Sequence, residues 1–125
     1  MAVLGLGMDV CSVERVARVL GGPNGGRFRE RVYTPTEVAT CEGRSDAATA
    51  YAARFAAKEA LVKALGAPPG LRWRDMEVVR AANGAPGFAL TGVAFREVAA
   101  RGVRVLLALT HDAGVAAATV VLDHL

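Results

Sequence analysis

Residues 54–66, RFAAKEALVKALG, read as a helix built mostly from alanine and leucine, yet they carry Arg54, Lys58, Glu59 and Lys63. At 100° per residue, Ala53, Ala56, Ala57, Ala60, Leu61 and Ala64 fall on one broad arc. Glu59 and Lys63 lie along one flank of that arc, and Arg54 and Lys58 along another. Small residues permit close backbone approach, so this is expected to be a central helix laid tightly on a sheet, its flanks supplying ligands at the edges of a cleft. The Glu59–Lys63 spacing equally fits an ordinary i,i+4 surface pair worth roughly 0.2–0.5 kcal/mol.

Working outward, Ser45 or Asp46 is placed to cap this helix, and Gly66, with Pro68 and Pro69 behind it, to end it. Upstream, VLGLGMDV reads as a strand, and Ser12 as the cap of a helix, SVERVARVL, that stops at Gly21 and Gly22. GGPNGG then reads as a loop. Thr34-Pro35-Thr36-Glu37 has the cap, first-turn proline and third-position glutamate of a capping box, which opens the next helix. Downstream, MEVVRAANGAPGFAL gives two strands around the turn dipeptide Asn83-Gly84, and TGVAFREVAARG a helix capped by Thr91 and stopped by Gly102. The last two runs, VRVLLALTHD and VAAATVVLD, pair antiparallel across Ala113-Gly114, leaving Thr110, His111 and Asp112 at the turn end. The expected order is βαααββαββ, an α+β domain with helices packed on a largely antiparallel sheet.

At 125 residues and 53% hydrophobic content, the chain is expected to form one globular domain, 1–125. No run approaches the roughly 20 uncharged apolar residues of a membrane span. MAVLGLGMDV lacks a basic leader and a small-residue cleavage site, so the expected location is the cytoplasm. Cys11 and Cys41 have neither CxxC spacing nor histidines nearby, and both read as free thiols. The net charge of +3 favours an acidic partner or a phosphorylated ligand.

Asp9 ends a strand that is otherwise apolar, where a carboxylate needs a partner, a hydrogen bond or a cation. A backbone-bonded turn or a helix cap would satisfy it. If the long helix crosses the sheet near that strand end, Asp9 and Glu59 can instead share a hard divalent cation. Magnesium suits such a pair, because it fills its remaining positions with water and phosphate oxygens, and Lys63 and Arg54 would then face anions. Gly5 and Gly7 do not make a dinucleotide fingerprint: the third glycine is missing and the glycines lie within the strand. No serine sits in a nucleophile elbow. His124 is near the C-terminal end of the sequence, whereas His111, beside Asp112, is placed to meet a phosphate, accept a proton or cap a turn.

Three stretches resemble the holo-acyl-carrier-protein synthases, the single-domain 4'-phosphopantetheinyl transferases. GLGMDVCSVERV is similar to the family's opening GxGxD motif, RFAAKEALVKALG to its signature helix, and LALTHDAGVAAATVV to its terminal strand pair. NGAPGF, with Gly84 and Pro86, resembles its glycine-x-proline turn, so the likeness spans nearly the whole chain. The resemblance implies the 4'-phosphopantetheinyl transferase fold and magnesium-dependent transfer of the phosphopantetheine arm of coenzyme A to a serine of an acyl carrier protein, releasing adenosine 3',5'-bisphosphate. It implies Asp9 and Glu59 as metal ligands, and Arg54, Lys58, Lys63, Gly66, Pro86 and His111 as coenzyme contacts. Glu59, Lys63, His111 and Asp112 make up the implied catalytic set. For the proton of the acceptor serine, Glu59, His111, Asp112 and a water on the metal are all eligible.

The resemblance further implies a homotrimer with the coenzyme between subunits, His111 coming from the same subunit or its neighbour. It implies an acidic carrier docked on Arg15, with Arg27 and Arg31 in support. Those arginines equally fit a solvated helix face. Two departures stand out: Cys11 occupies the place where two-domain relatives carry a second carboxylate, and Asp112 follows the histidine. Fatty-acid and polyketide carriers both remain open as acceptors. From another class, a non-catalytic basic module for anions or nucleic acid fits less well, since aromatic residues are only 6% of the chain, too few for a stacking platform, and neither nucleic acid nor membrane is an expected partner.

Overall fold

The computed structural model describes residues 2–125. Its organising contact is between a glycine strand and an alanine helix. Strand β1 (Val3–Ser12) pairs antiparallel with β5 (Val115–His124), and β5 with β4 (Val103–Asp112), in the order β1-β5-β4. Helix α4 (Ala47–Ala64) lies across β1 and β5 on one face of this sheet. Ala56, Ala57, Ala60 and Leu61 are fully buried there, opposite Ala116, Ala118, Val120 and Leu122 of β5. A Cβ at Gly7 would stand 1.8 Å from the Ala60 carbonyl oxygen, and one at Gly5 2.9 Å from that of Ala64. Neither glycine has a left-handed φ, so it is the missing side chain that the packing requires.

Helices α1 (Val13–Gly21), α2 (Gly25–Val32) and α3 (Pro35–Glu42) follow β1; α1 and α3 pack on α4, and α2 packs on α1. A separate hairpin, β2 (Met76–Arg80) with β3 (Pro86–Leu90), comes next, entered through a 3-10 turn at Trp73–Asp75. Helix α5 (Gly92–Arg101) then leads into β4. The α+β class and the succession of elements hold, with one helix more than the sequence suggested. The loop read at GGPNGG ends early, and α2 begins at Gly25, whose missing Cβ lets it sit 2.1 Å from the Leu20 carbonyl oxygen, measured from the ideal Cβ position. Two glycines and no capping side chain hid that start.

The caps divide. Ser12 accepts from the Arg15 amide, and Thr34 and Glu37 form the full capping box. Asp46, by contrast, caps α4 without its side chain, which pairs with Arg44 at 2.8 Å. Thr91 turns its hydroxyl to Asp75 at 2.9 Å. At the first hairpin, the Ala81 amide donates to the Ala85 carbonyl and only Gly84 takes a left-handed φ. The turn is therefore a three-residue loop, not a two-residue Asn-Gly turn. The second hairpin turns through Ala113 and Gly114, both at positive φ, as a two-residue turn requires. Among the described residues, no helix is long and apolar enough to cross a membrane.

The opposite face of the three-stranded sheet is uncovered. Leu6, Met8 and Val10 of β1 are about 60% exposed, at 64%, 59% and 59%, and Leu106 of β4 lies beside them at 45%. Through the register Leu6↔Val121↔Leu106, these side chains form one apolar surface across the strands.

Candidate active site

Asp9 is two residues beyond Gly7 on β1 and therefore projects toward the helix side of the sheet. Lys63 Nζ donates to Asp9 Oδ1 at 3.0 Å and to the Met8 carbonyl at 3.1 Å. Asp9's side chain is 14% exposed and that of Lys63 55%, so the ammonium is held by the strand yet still open to a ligand. Glu59, one turn before Lys63, faces the same corner. Burial first, and then the negative charge of Asp9, push its carboxyl above the usual range, while Lys63 and Arg15 pull it down. Asp9, Glu59, Lys63 and Arg15 thus act on one another across 54 residues of sequence because glycines in β1 admit α4.

The two carboxylates are hard oxygen donors, and the open lysine beside them is a cation with room for an anion. Among the described residues, no cluster of three or more His, Cys, Asp or Glu side chains could hold a metal. Cys11, two residues beyond Asp9, is buried at 3% exposure and raised in pKa chiefly by that burial. A divalent ion on Asp9 and Glu59 would take most of its ligands from water and substrate.

The other flank of α4 differs from the sequence expectation. Arg54 is 6% exposed and Lys58 fully buried. Lys58 Nζ donates to Glu37 Oε1 at 2.7 Å and to the Trp73 carbonyl at 3.0 Å, while Glu37 also accepts from the amides of Thr34 and Val78. Burial pulls the Lys58 ammonium below its ordinary pKa, and Glu37 pulls it back. Lys58, expected as a coenzyme contact, is instead a core cation whose donors are turned to Glu37 and the Trp73 carbonyl. Helix α4 packs against α3 and β2 where a free helix would meet water. No sign of this is visible in the amino-acid pattern, where Glu37 reads as a cap and nothing more.

Arg54 donates from Nη1 to the Ala50 carbonyl at 3.2 Å, and its Nε is buried without a partner. Such an atom costs about 1–3 kcal/mol unless something completes it. On this side of the helix, His111 shares a small pocket with Ala53, Thr110 and Arg80. Arg80 escaped the sequence reading. Its one signal was its register opposite Pro86 at the mouth of the first hairpin. Asp112 is exposed beside His111, and Gly66, at φ 75°, turns the chain out of α4 just after Leu65.

The expected residues therefore form two groups in one subunit. Asp9, Glu59 and Lys63 stand at the β1 edge of α4; Arg54 is buried on its other flank, and His111 and Arg80 share a pocket with Ala53. Row by row, Asp9 is level with Ala118 and Leu109, and His111 with Ala116 and Cys11. Crossing two strand spacings and two residues separates Asp9 from His111 by roughly 12 Å between backbones. Arg15 lies on α1 near Glu59, and Arg27 and Arg31 lie on α2.

Residues 5–118 match the model of the 4'-phosphopantetheinyl transferase superfamily. Over 123 residues the chain is 66% identical to the holo-[acyl-carrier-protein] synthase of Myxococcus xanthus, a match that covers 98% of this chain and 97% of the relative. Among solved structures, it is similar to the holo-[acyl-carrier-protein] synthase of Neisseria meningitidis, with TM-score 0.83 and 30% identity over 98% of this chain and 99% of that one. It is also similar to the Helicobacter pylori holo-[acyl-carrier-protein] synthase in complex with coenzyme A, with TM-score 0.78 and 27% identity over 94% of this chain and 99% of that one.

Proposed function

We propose that this chain, which belongs to the 4'-phosphopantetheinyl transferase superfamily and stands among its holo-[acyl-carrier-protein] synthases, transfers the 4'-phosphopantetheine group of coenzyme A to a serine hydroxyl of an apo acyl carrier protein. The observation that carries the reading is the Asp9–Lys63 ion pair where β1 passes under α4, with Glu59 one helical turn before Lys63 and raised by the charge of Asp9.

The donor set fits Mg2+, with Asp9 and Glu59 as its protein ligands. When bound, the ion neutralises charge that develops on the diphosphate during phosphoryl transfer. Lys63, already anchored on Asp9, turns its open side to the diphosphate as a point charge. The serine hydroxyl gives up its proton to a base, for which Glu59, His111 and Asp112 are the eligible side chains, and its oxygen forms a new bond to the phosphorus that bears the pantetheine arm. The bond from that phosphorus to the bridging oxygen breaks, and adenosine 3',5'-bisphosphate leaves. Arg54 is the candidate for the 3'-phosphate, since its orphaned Nε lacks a partner and a guanidinium suits a phosphate fork. His111 and Arg80 add two more groups for phosphate at the same flank.

Because α4 separates the two groups, one coenzyme is best served by the diphosphate residues of one subunit and the His111 pocket of another. The exposed apolar face built on Leu6, Met8, Val10 and Leu106 supports self-association, and the state we propose is a homotrimer. Two free buried cysteines fit a reducing compartment, and we place the enzyme in the cytoplasm.

The test is to incubate the protein with coenzyme A, Mg2+ and an apo carrier protein, then weigh the carrier. A gain equal to the phosphopantetheine group is expected, and an unchanged mass would leave only an anion-binding module. Glu59→Gln is expected to reduce the rate by about two orders of magnitude or more while keeping the fold. Full activity in that variant would remove Glu59 from the site. A panel of fatty-acid and polyketide carriers then reads the natural acceptor.

A further inference from the structure

The hairpin of β2 and β3 brings Arg80 to the His111 pocket, yet it is a sheet of its own and, among the described residues, shares no ladder with β4. Its position is therefore set by what holds β2 from outside. Met76 and Val78 are buried, and Arg80, two residues further on, continues their row at the open end of the strand. The Arg80 guanidinium is braced across the turn, Nη1 donating to the Gly84 carbonyl at 2.7 Å, and it lines the pocket with Ala53, Thr110 and His111.

The tie is Glu37 of α3, buried at 1% exposure. Its Oε2 accepts the Val78 amide at 2.9 Å, and its Oε1 accepts the Thr34 amide at 3.0 Å and the Lys58 ammonium at 2.7 Å. A buried strand edge needs an acceptor for its amides, and here a carboxylate stands where a neighbouring strand would. Lys58 also donates to the Trp73 carbonyl at 3.0 Å, so the residues leading into β2 hang on the same pair. Beside it the Thr34 hydroxyl donates to Glu77, the residue before Val78. An apolar pair of similar volume could fill this part of the core at no loss of stability, but it could not fix the Val78 amide at one point. Two arginines stand at the ends of the bridge that results. Arg54 is one helical turn, about 6 Å, before Lys58 on α4, and Arg80 is two residues, about 7 Å, beyond Val78 on β2.

We propose that Glu37, held by Lys58, is a positioning residue for the coenzyme: it fixes the spacing between Arg54 on α4 and Arg80 on β2, and with it the preference for a coenzyme that carries a 3'-phosphate. The inference rests on the transferase reading above, with its 3'-phosphate at Arg54, and adds a residue that touches no ligand. A tilt of the hairpin by about 10° at Val78 moves the Arg80 backbone by about 1 Å. That exceeds the roughly 0.5 Å within which a hydrogen-bonded binding geometry must be held. The buried lysine and glutamate thus serve the pocket by holding one strand at a set distance from one helix.

The test measures binding of coenzyme A and of its 3'-dephospho form to the full chain by calorimetry with Mg2+, at a temperature where melts show each variant folded. Both ligands carry the diphosphate, so the ratio of their dissociation constants reads the 3'-phosphate alone. Glu37→Gln keeps the volume but sets an amide donor against either Lys58 or the Val78 N–H. It should weaken coenzyme A about tenfold, the worth of one charge-assisted hydrogen bond, and leave the dephospho form within about twofold. Arg80→Gln should do the same, and the double variant should add nothing further, because Glu37 acts through Arg80. Arg104→Gln breaks another pair with a buried carboxylate, Asp123, at the end of β4 away from His111; it should cost stability and leave the ratio unchanged. A wild-type ratio in folded Glu37→Gln overturns the inference. Equal losses for both ligands, additive losses in the double variant, or the same fall in Arg104→Gln overturn it as well. If Glu37→Gln does not fold, Glu77→Ala, which removes only the Thr34 tie, decides: the ratio should fall by a smaller factor, and an unchanged ratio overturns the inference. A wild type that binds the two forms alike defeats the 3'-phosphate reading beneath, and one that binds neither defeats the transferase reading. A wild type that discriminates, with Glu37 indifferent, defeats only the positioning role.

Discussion

Gly7→Ala tests whether strand and helix together make the site. The added Cβ would lie 1.8 Å from the Ala60 carbonyl oxygen, 2.8 Å from the Ala64 amide nitrogen and 2.9 Å from the Ala60 carbonyl carbon. All three are backbone atoms of α4, so no side chain can swing aside. To bring the first contact to even 3.0 Å the helix must recede by 1.2 Å, the difference between 3.0 and 1.8. Glu59 and Lys63 ride on that helix while Asp9 stays on the strand, so the gap opens within the site itself. A misplacement of about 1 Å is enough to cost roughly 10²-fold in rate, and the overpacking costs about 1–3 kcal/mol of stability. The assay is the initial rate of carrier modification by mass spectrometry, beside a urea melt and a far-ultraviolet spectrum. Gly5→Ala should fall between Gly7→Ala and wild type, because its closest contact is the movable Leu122 side chain at 2.7 Å, followed by the Ala64 oxygen at 2.9 Å. Gly87→Ala meets nothing within 4 Å and is the neutral control. A Gly7→Ala protein with wild-type rate and wild-type stability would refute the reasoning.

Lys58→Met should destabilise the fold by about 3–5 kcal/mol by stranding a buried carboxylate. Adding Glu37→Leu should recover only part of that, since the Thr34 and Val78 amides then lose their acceptor; urea melts that place Lys58→Met within 1 kcal/mol of wild type would contradict the buried pair. Burial pushes the Cys41 thiol up to about 11 from an ordinary 9.0. Its contribution is therefore complete below pH 9 and fades as pH rises toward 11, a loss of about 2 kcal/mol by pH 10.5. Tyr51, pushed up to about 12 chiefly by burial, extends the decline. Equal denaturation midpoints at pH 8 and pH 10.5 would contradict this, and Cys41→Ala should flatten the curve between them. Leu6→Lys/Met8→Lys should shift the protein to monomers in sedimentation and, if the coenzyme spans subunits, lower coenzyme A affinity; a wild type that already sediments as an active monomer would end the trimer proposal.

The fold was legible wherever one residue type had one physical use. Ala-Gly marked a two-residue turn and Asn-Gly the place of a longer one, the capping box at Thr34 marked a helix start, and apolar runs marked strands. Legibility failed where several weak features competed. Gly25 and Gly26 opened α2 without a capping oxygen, and only the Leu20 carbonyl in close approach explains the glycine. Lys58 misled for a related reason: helical phase put it on a charged flank, but phase says nothing of what covers that flank. Its cover comes from Glu37 on α3 and from the segment around Trp73, 21 and 15 residues away.

The charges on α4 thus have different origins. Glu59 and Lys63 stand at an edge where the strand stops covering the helix, so a water-exposed lysine can hold Asp9 and still meet an anion. Lys58 and Arg54 stand where other elements close over the helix. The first is satisfied by the protein itself, and the second keeps one buried nitrogen unmatched. That contrast separates a cation satisfied within the fold from the one proposed above to take the 3'-phosphate. It follows that Arg54→Met and Lys58→Met should fail in different ways. Relieving an orphaned donor spares stability while it weakens binding of adenosine 3',5'-bisphosphate. Removing the partner of Glu37 lowers stability first and binding only as the Trp73 segment loosens. Calorimetric binding beside urea melts for the two variants reads both axes, and equal losses on both would erase the distinction.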